Sequence, residues 1–156
     1  MTMNGASREQ QALAVLRMAL GAMFVWVFFE NLGKGLYTPA GYKGVIDYYV
    51  KNGHAPAIWK GVISVMAANA SIVAPLQAAT ELGLGLLLLA GAATRLAAVV
   101  AGAFLFSLWV TELGTSWIWE LAMPVIVAVS LAWARPGRTW GLDAVLARRR
   151  PGWRLG

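Results

Sequence analysis

Cysteine is absent from all 156 residues, so the chain can form no disulfide, thiolate nucleophile, persulfide carrier, iron–sulfur cluster or Cys-ligated zinc site. Histidine occurs once, at His54, which excludes bis-His haem ligation within one chain. Charge is scarce as well: 13% of the residues are Asp, Glu, Lys or Arg, against roughly 25% in an ordinary soluble domain. Apolar residues make up 59%. This is the composition of a membrane protein, and 156 residues suffice for one domain, 1–156. The net charge of +6 does not point to nucleic acid, because most of the arginine lies in one tail beside apolar segments, as at an anionic membrane leaflet.

Four segments meet the rule that about 20 mainly apolar residues cross the hydrocarbon core: 12–29, 72–91, 96–113 and 117–134. The fold class this predicts is an all-α, four-transmembrane-helix bundle with amphipathic outer helices between spans one and two. The first segment is read as a retained span and not a cleaved signal, because Arg17 interrupts it and no A-x-A site follows before Glu30. Arg8, Arg95, Arg135, Arg138, Arg148, Arg149, Arg150 and Arg154 fall on the side shared by both termini, which the positive-inside bias assigns to the cytoplasm. Localisation in the cell (inner) membrane follows, with a disordered basic cytoplasmic tail from about residue 144.

Between spans one and two, Thr38-Pro39 is a helix start, Asn52-Gly53 a helix stop, and Tyr42, Val45, Ile46 and Tyr49 recur at helical spacing. Lys43, Asp47 and Lys51 line the opposite face. A second helix starts near Pro56 and carries Ile58, Trp59, Val62 and Met66 toward Asn69; whether it breaks before span two or runs through Pro75 is left open by the sequence.

Hydrocarbon makes polar groups expensive, and a charge near its centre costs at least ~2.5–3.5 kcal/mol. Arg17 lies about a turn and a half inside span one, and Glu81 near the middle of span two; the two invite pairing. Arg17, Gly21, Phe24, Phe28 and Asn31 share one helix face, which should point into the bundle. Two readings stand for each charge. Arg17 either pairs or snorkels to the interface, and Glu81 either serves a site or is a structural carboxyl bonded to Gln77 or Thr80. His54 reads as a cap or surface residue. At the other end, Glu30, Asn31 and Lys34 finish span one, Glu112 finishes span three, and Trp119 and Glu120 begin span four. This predicts a polar mouth walled by Trp109, Trp117 and Trp119; the alternative is a hydrated helix end with an exposed Glu30–Lys34 pair.

The stretches LRMALGAMFVWVFFENLGKGLY, ELGLGLLLLAGAATRLAAVVAG and ARPGRTWGLD together resemble the DoxX/DoxD family of small four-helix membrane proteins, over roughly residues 14–143. The resemblance implies a membrane subunit associated with redox chemistry, such as the small subunit of a thiosulfate:quinone oxidoreductase, with membrane quinone as the cofactor. By the same resemblance Arg17 and Glu81 occupy the family's polar positions in spans one and two, and Asn31 to Lys34 the end of its first span. No haem, iron–sulfur or metal ligand set is evident in the chain itself.

Three functions stay open on these residues. In the first, a quinone enters between helices, Glu81 and Glu120 are the catalytic carboxyls that move protons, and Arg17, Glu30, Asn31, Lys34, Gln77, Glu112 and Trp119 bind substrate or partner. Lys34, Lys43 or Lys60 would draw in an anionic sulfur substrate. In the second, the chain is a non-enzymatic membrane anchor or assembly subunit for an extracytoplasmic or respiratory partner, a reading favoured by an exposed tyrosine stripe on the first outer helix. The third is a lipid or small-solute conduit. Membrane lipid and either a partner subunit or a second copy of the chain are the expected partners, and nucleic acid is not.

Overall fold

The computed structural model describes residues 7–134 and 136–149. The described chain is all-helical: α1 (Arg8–Gly33), α2 (Pro39–Asn52), α3 (Ala57–Ala68), α4 (Ala70–Ala90), α5 (Thr94–Thr111), α6 (Ile118–Ala134) and α7 (Leu142–Arg149), with a 3₁₀ turn at Pro136–Arg138 before α7. Three of these, α1, α4 and α5, are long and apolar enough to cross a membrane, and α6 is a shorter apolar helix of 17 residues. Four spans were expected; three meet the length, because Trp117 lies outside α6, which begins at Ile118.

Local chemistry sets the ends of the helices. A capping box starts α1 four residues before the expected span: Gln10 N–H donates to Ser7 Oγ (3.3 Å) and Ser7 N–H to Gln10 Oε1 (3.0 Å). Thr38 caps α2 through Gly41 N–H (3.1 Å), with Pro39 in the first turn, where its missing N–H costs nothing. Helix α2 ends where Gly53 turns to an extended conformation (φ −84°, ψ 164°), and glycine fits there because a Cβ would lie 2.6 Å from the Tyr49 carbonyl oxygen. The open question at Pro75 resolves six residues earlier. The chain breaks at Asn69, whose amide donates back to Val65 O (2.9 Å), and α4 then runs on through Pro75. The proline removes only the bond to the carbonyl of Ser71, an exposed residue.

Helix α1 packs on α4, and α5 on α6, around Leu20, Phe24, Leu84, Leu88, Leu105 and Leu131. The first pair meets backbone to backbone. A Cβ on Gly21 would sit 2.8 Å from Leu89 N and 2.9 Å from Gly85 O, so only glycine permits this approach, as small residues do where membrane helices pack closely. Gly21→Ala is therefore expected to lose about 1–3 kcal/mol through overpacking, measured as a lower melting temperature in detergent; an unchanged melt would show that the helices separate freely. Outside the core, Trp26, Ile72, Val99, Phe106, Ile126 and Val129 are exposed, and this apolar surface faces lipid.

Helices α2 and α3 form a second layer over one end of the bundle, which we call the distal end. Tyr42, Ile46, Ile63, Ala67, Ala70 and Ala74 make its core. The tyrosine stripe thus faces inward: Tyr42 is buried and Tyr49 half-buried, and only Tyr48 of this helix's tyrosines is exposed. The stripe holds α2 down and offers no docking surface.

At the opposite, basal end the chain closes on itself. Arg17, fully buried, donates through Nη1 to Pro136 O (3.4 Å) and Thr139 O (3.4 Å), and through Nη2 to Trp140 O (3.1 Å). Asp143, also fully buried, accepts from Ala93 N–H and Thr94 N–H at 2.8 Å each and so caps α5, whose own N-cap Ala93 supplies no side-chain bond. Glycines admit these side chains: a Cβ on Gly91 (φ 63°) would fall 2.0 Å from Arg17 Nη1, and one on Gly137 2.2 Å from Asp143 Oδ2. The expected Arg17–Glu81 pair does not form. Arg17 uses the carbonyls of the turn after α6, while Glu81 bonds Asn31, fourteen residues and about 21 Å further along α1. Arg17→Gln and Glu81→Gln are accordingly expected to have additive effects on stability; rescue of one by the other would contradict this geometry. Arg148 and Arg149, expected in a disordered tail, belong to α7, while Arg150 and the residues after it lie outside the described chain.

Candidate functional site

The distal half of the bundle encloses a cavity of about 470 Å³ between α1, α4, α5, α6 and the α2–α3 layer. Its walls are largely apolar, with Met23, Phe24, Ile63, Phe104 and Leu121 among them, and its polar groups fall into two sets.

Glu81, 1% exposed, centres the first set. Its Oε1 accepts from Gln77 Nε2 (2.8 Å), one turn away on α4, and its Oε2 from Asn31 Nδ2 (3.1 Å) and from the Tyr37 hydroxyl. Tyr37 arrives because the chain reverses directly after α1. Gly35 takes a left-handed φ of 70°, Leu36 N–H returns to Asn31 O (3.0 Å), and the Tyr37 ring stacks on Phe28 at 5.4 Å. Burial first, and then the bond and charge of Glu81, push the Tyr37 phenol well above its ordinary range, so it stays a donor. Three donors converge on one carboxyl, the acceptor-only role that an ionised carboxylate fills. Thr80, the other partner expected for Glu81, instead donates to Leu76 O (2.8 Å).

The second set lies where α5 ends. Glu112 accepts from Ser116 Oγ (2.7 Å) and bonds Tyr49; burial raises its pKa, those two bonds oppose the rise, and the charge of Glu120 adds to it. Tyr49 is raised chiefly by burial and then by Glu112. Glu120 is exposed at the rim. The α2–α3 layer is pinned here by Trp59 Nε1 to Thr111 Oγ1 (2.9 Å) and by His54 N–H to Leu113 O (2.6 Å). His54 is thus a surface residue whose backbone holds two loops together, and a Cβ on Gly114 would strike its ring at 2.4 Å.

Of the residues expected to form the site, Asn31, Gln77, Glu81, Glu112 and Glu120 line this one cavity. Glu30 and Lys34 do not: they pair with each other at 2.6 Å on the exposed side of α1, as the alternative reading had it, because one residue of helical phase separates Glu30 from the inward Asn31. Lys34→Ala is expected to change stability by less than about 1 kcal/mol and to leave any activity of the cavity intact; a large loss would return it to the site. Arg17 lies at the basal end. Trp117 and Trp119 are exposed and Trp109 is not part of the lining, so the expected tryptophan wall does not form, and Trp59 is the tryptophan that lines the cavity. Tyr37, Tyr49, Trp59 and Thr111 were not among the expected site residues, although Tyr37 closes the LGKGLY stretch.

Among the described residues no three His, Asp or Glu side chains group as metal ligands. The cavity offers carboxyl, amide, phenol and indole groups on apolar walls, the means of holding an organic molecule by its polar end. No curated protein and no solved structure matches the chain. The model of the DoxX family matches residues 12–112, the stretch that runs from α1 to the end of α5 and carries Asn31, Gln77, Glu81 and Glu112, and the chain belongs to that family.

Proposed function

We propose that the protein is a four-span subunit of a quinone-linked oxidoreductase in the cell membrane, with its basal end and both termini cytoplasmic and the distal cavity as the quinone site. The observation that carries this reading is the cavity itself, apolar enough for a prenylated ring and polar at two places where ring carbonyls and protons would need partners. A quinone, when bound, provides a two-electron, two-proton acceptor. The electrons come from a partner subunit that oxidises a sulfur anion such as thiosulfate. Oxidation of the anion takes place outside the cavity, since the lining contains no Lys, Arg or His.

The chain's own groups have distinct tasks in this reading. Asn31, Gln77 and Tyr37 orient the Glu81 carboxylate, whose Oε1, with one bond from Gln77, takes up a proton and passes it into the cavity. The apolar walls exclude water. Glu112, Tyr49 and Glu120 pass protons between the cavity and the distal aqueous phase, which positioned carboxyls do effectively when close to the reacting group. Mild-detergent purification followed by solvent extraction tests the proposal: about one quinone per chain is expected, with less retained by Asn31→Ala and Gln77→Ala. A quinone-free chain that brings down a stoichiometric partner would replace it with the anchor reading.

A further inference from the structure

The charge of the cavity is opposite to that of the chain. Although the protein carries +6 overall, the lining holds three carboxyls, Glu81, Glu112 and Glu120, and no basic side chain. Three of the four distal lysines are engaged elsewhere, Lys34 on Glu30, Lys43 on Asp47 and Lys60 on the carbonyl of Gly53 at 2.8 Å, and the fourth, Lys51, is exposed on α2 and outside the lining. Glu81, all but sealed from solvent, has no cationic partner among the described residues. A buried carboxylate held by donors but without a counter-charge is an unbalanced arrangement in a low-dielectric setting.

From this we infer that the distal cavity is a binding site for amphiphilic amines, molecules with a protonated amine or quaternary ammonium head and an apolar body. The head takes the place of the missing counter-charge beside Glu81. Its Oε1 accepts one bond, from Gln77, and so retains a lone pair for an N–H donor. Tyr42, Tyr49, Trp59, Phe24 and Phe104 also line the space, and aromatic faces attract ammonium groups. A bare metal ion suits the site poorly, because the three carboxyls are spread along the cavity and do not converge as a ligand set. The apolar walls take the body of the amphiphile, and the exposed Glu120 at the rim draws its charge in.

This inference needs no electron transfer and stands apart from the quinone reading. It is tested on quinone-extracted protein in a neutral maltoside detergent, with dodecylamine, dodecanol and dodecanoate followed by tryptophan fluorescence and by thermal shift at neutral pH. Dodecylamine is expected to bind at least about tenfold more tightly than dodecanol, a difference of about 1.4 kcal/mol, with dodecanoate weakest. Glu81→Gln should remove most of that preference while Lys43→Ala leaves it intact. Should Glu81→Gln prove unstable, Glu112→Gln combined with Glu120→Gln serves instead, with an expected severalfold loss for the amine alone. Equal binding of amine and alcohol, or an amine preference that survives the carboxyl substitutions, would overturn the proposal.

Discussion

Asp143→Ala is expected to be the most destabilising single change in the chain, at about 4 kcal/mol. Several losses combine. The carboxylate caps α5 through the backbone N–H groups of Ala93 and Thr94, and loss of a helix cap costs about 0.5–2 kcal/mol. Its loss also leaves the part-buried N–H of Ala93 and the buried N–H of Thr94 without an acceptor, at about 1–3 kcal/mol each, and removes the negative charge that acts favourably on the buried Arg17 guanidinium. Thermal unfolding in detergent should fall by about 10 °C. Asp143→Asn, which keeps one acceptor oxygen, should lie between Ala and wild type. Removing the stranded charge in Arg17→Gln/Asp143→Ala should recover part of the loss. A melt of Asp143→Ala within about 2 °C of wild type would mean that the basal closure contributes little.

Glu81→Gln is expected to produce the largest functional effect. Under the quinone reading, Glu81 is the buried carboxylate that relays protons into the cavity, and a positioned acid–base group contributes about 10²–10⁴-fold to rate. Turnover with a short-tailed quinone, in the presence of the partner subunit, should fall by that factor. The fold should survive. Glutamine preserves the shape, and the amide of Gln77 can turn to accept where the new amide donates, so the stability cost should stay near 1–2 kcal/mol, as for one rearranged hydrogen bond. Tyr37→Phe supplies the graded comparison, since it removes one donor to the same carboxyl and leaves the acid in place. Its turnover should drop less than that of Glu81→Gln. Wild-type turnover in Glu81→Gln, at equal protein level, would take Glu81 out of the chemistry and leave the carboxyl as a packing element of α4.

Several parts of this architecture can be read from neighbouring residues alone. Thr38-Pro39 announces α2, and the face shared by Arg17, Gly21, Phe24, Phe28 and Asn31 does point inward, with the first three buried and the last two half-buried. A carboxyl in an apolar run marks Glu81. The same face also separates Asn31 from Glu30, since a one-residue step turns the side chain about 100° around the helix. Ser7 and Gln10 carried a start signal for α1 that a search for apolar windows passes over.

What local pattern determined, then, is the membrane-type composition, most helix boundaries and the inward stripe of α1, because hydropathy, capping and helical phase each act within a few residues. Tertiary structure alone decided the partners of the buried charges. Arg17 finds its acceptors 119 to 123 positions later, Asp143 caps a helix about 50 positions earlier, and Tyr37 reaches Glu81 across 44 positions. The sequence shows that each such group needs a partner, because an unsatisfied charge or polar group is costly away from water. Which partner it meets depends on how the helices stack, on the reversal at Gly35 and on the glycine contacts that let α1 and α4 touch, and those are settled only when the whole bundle closes.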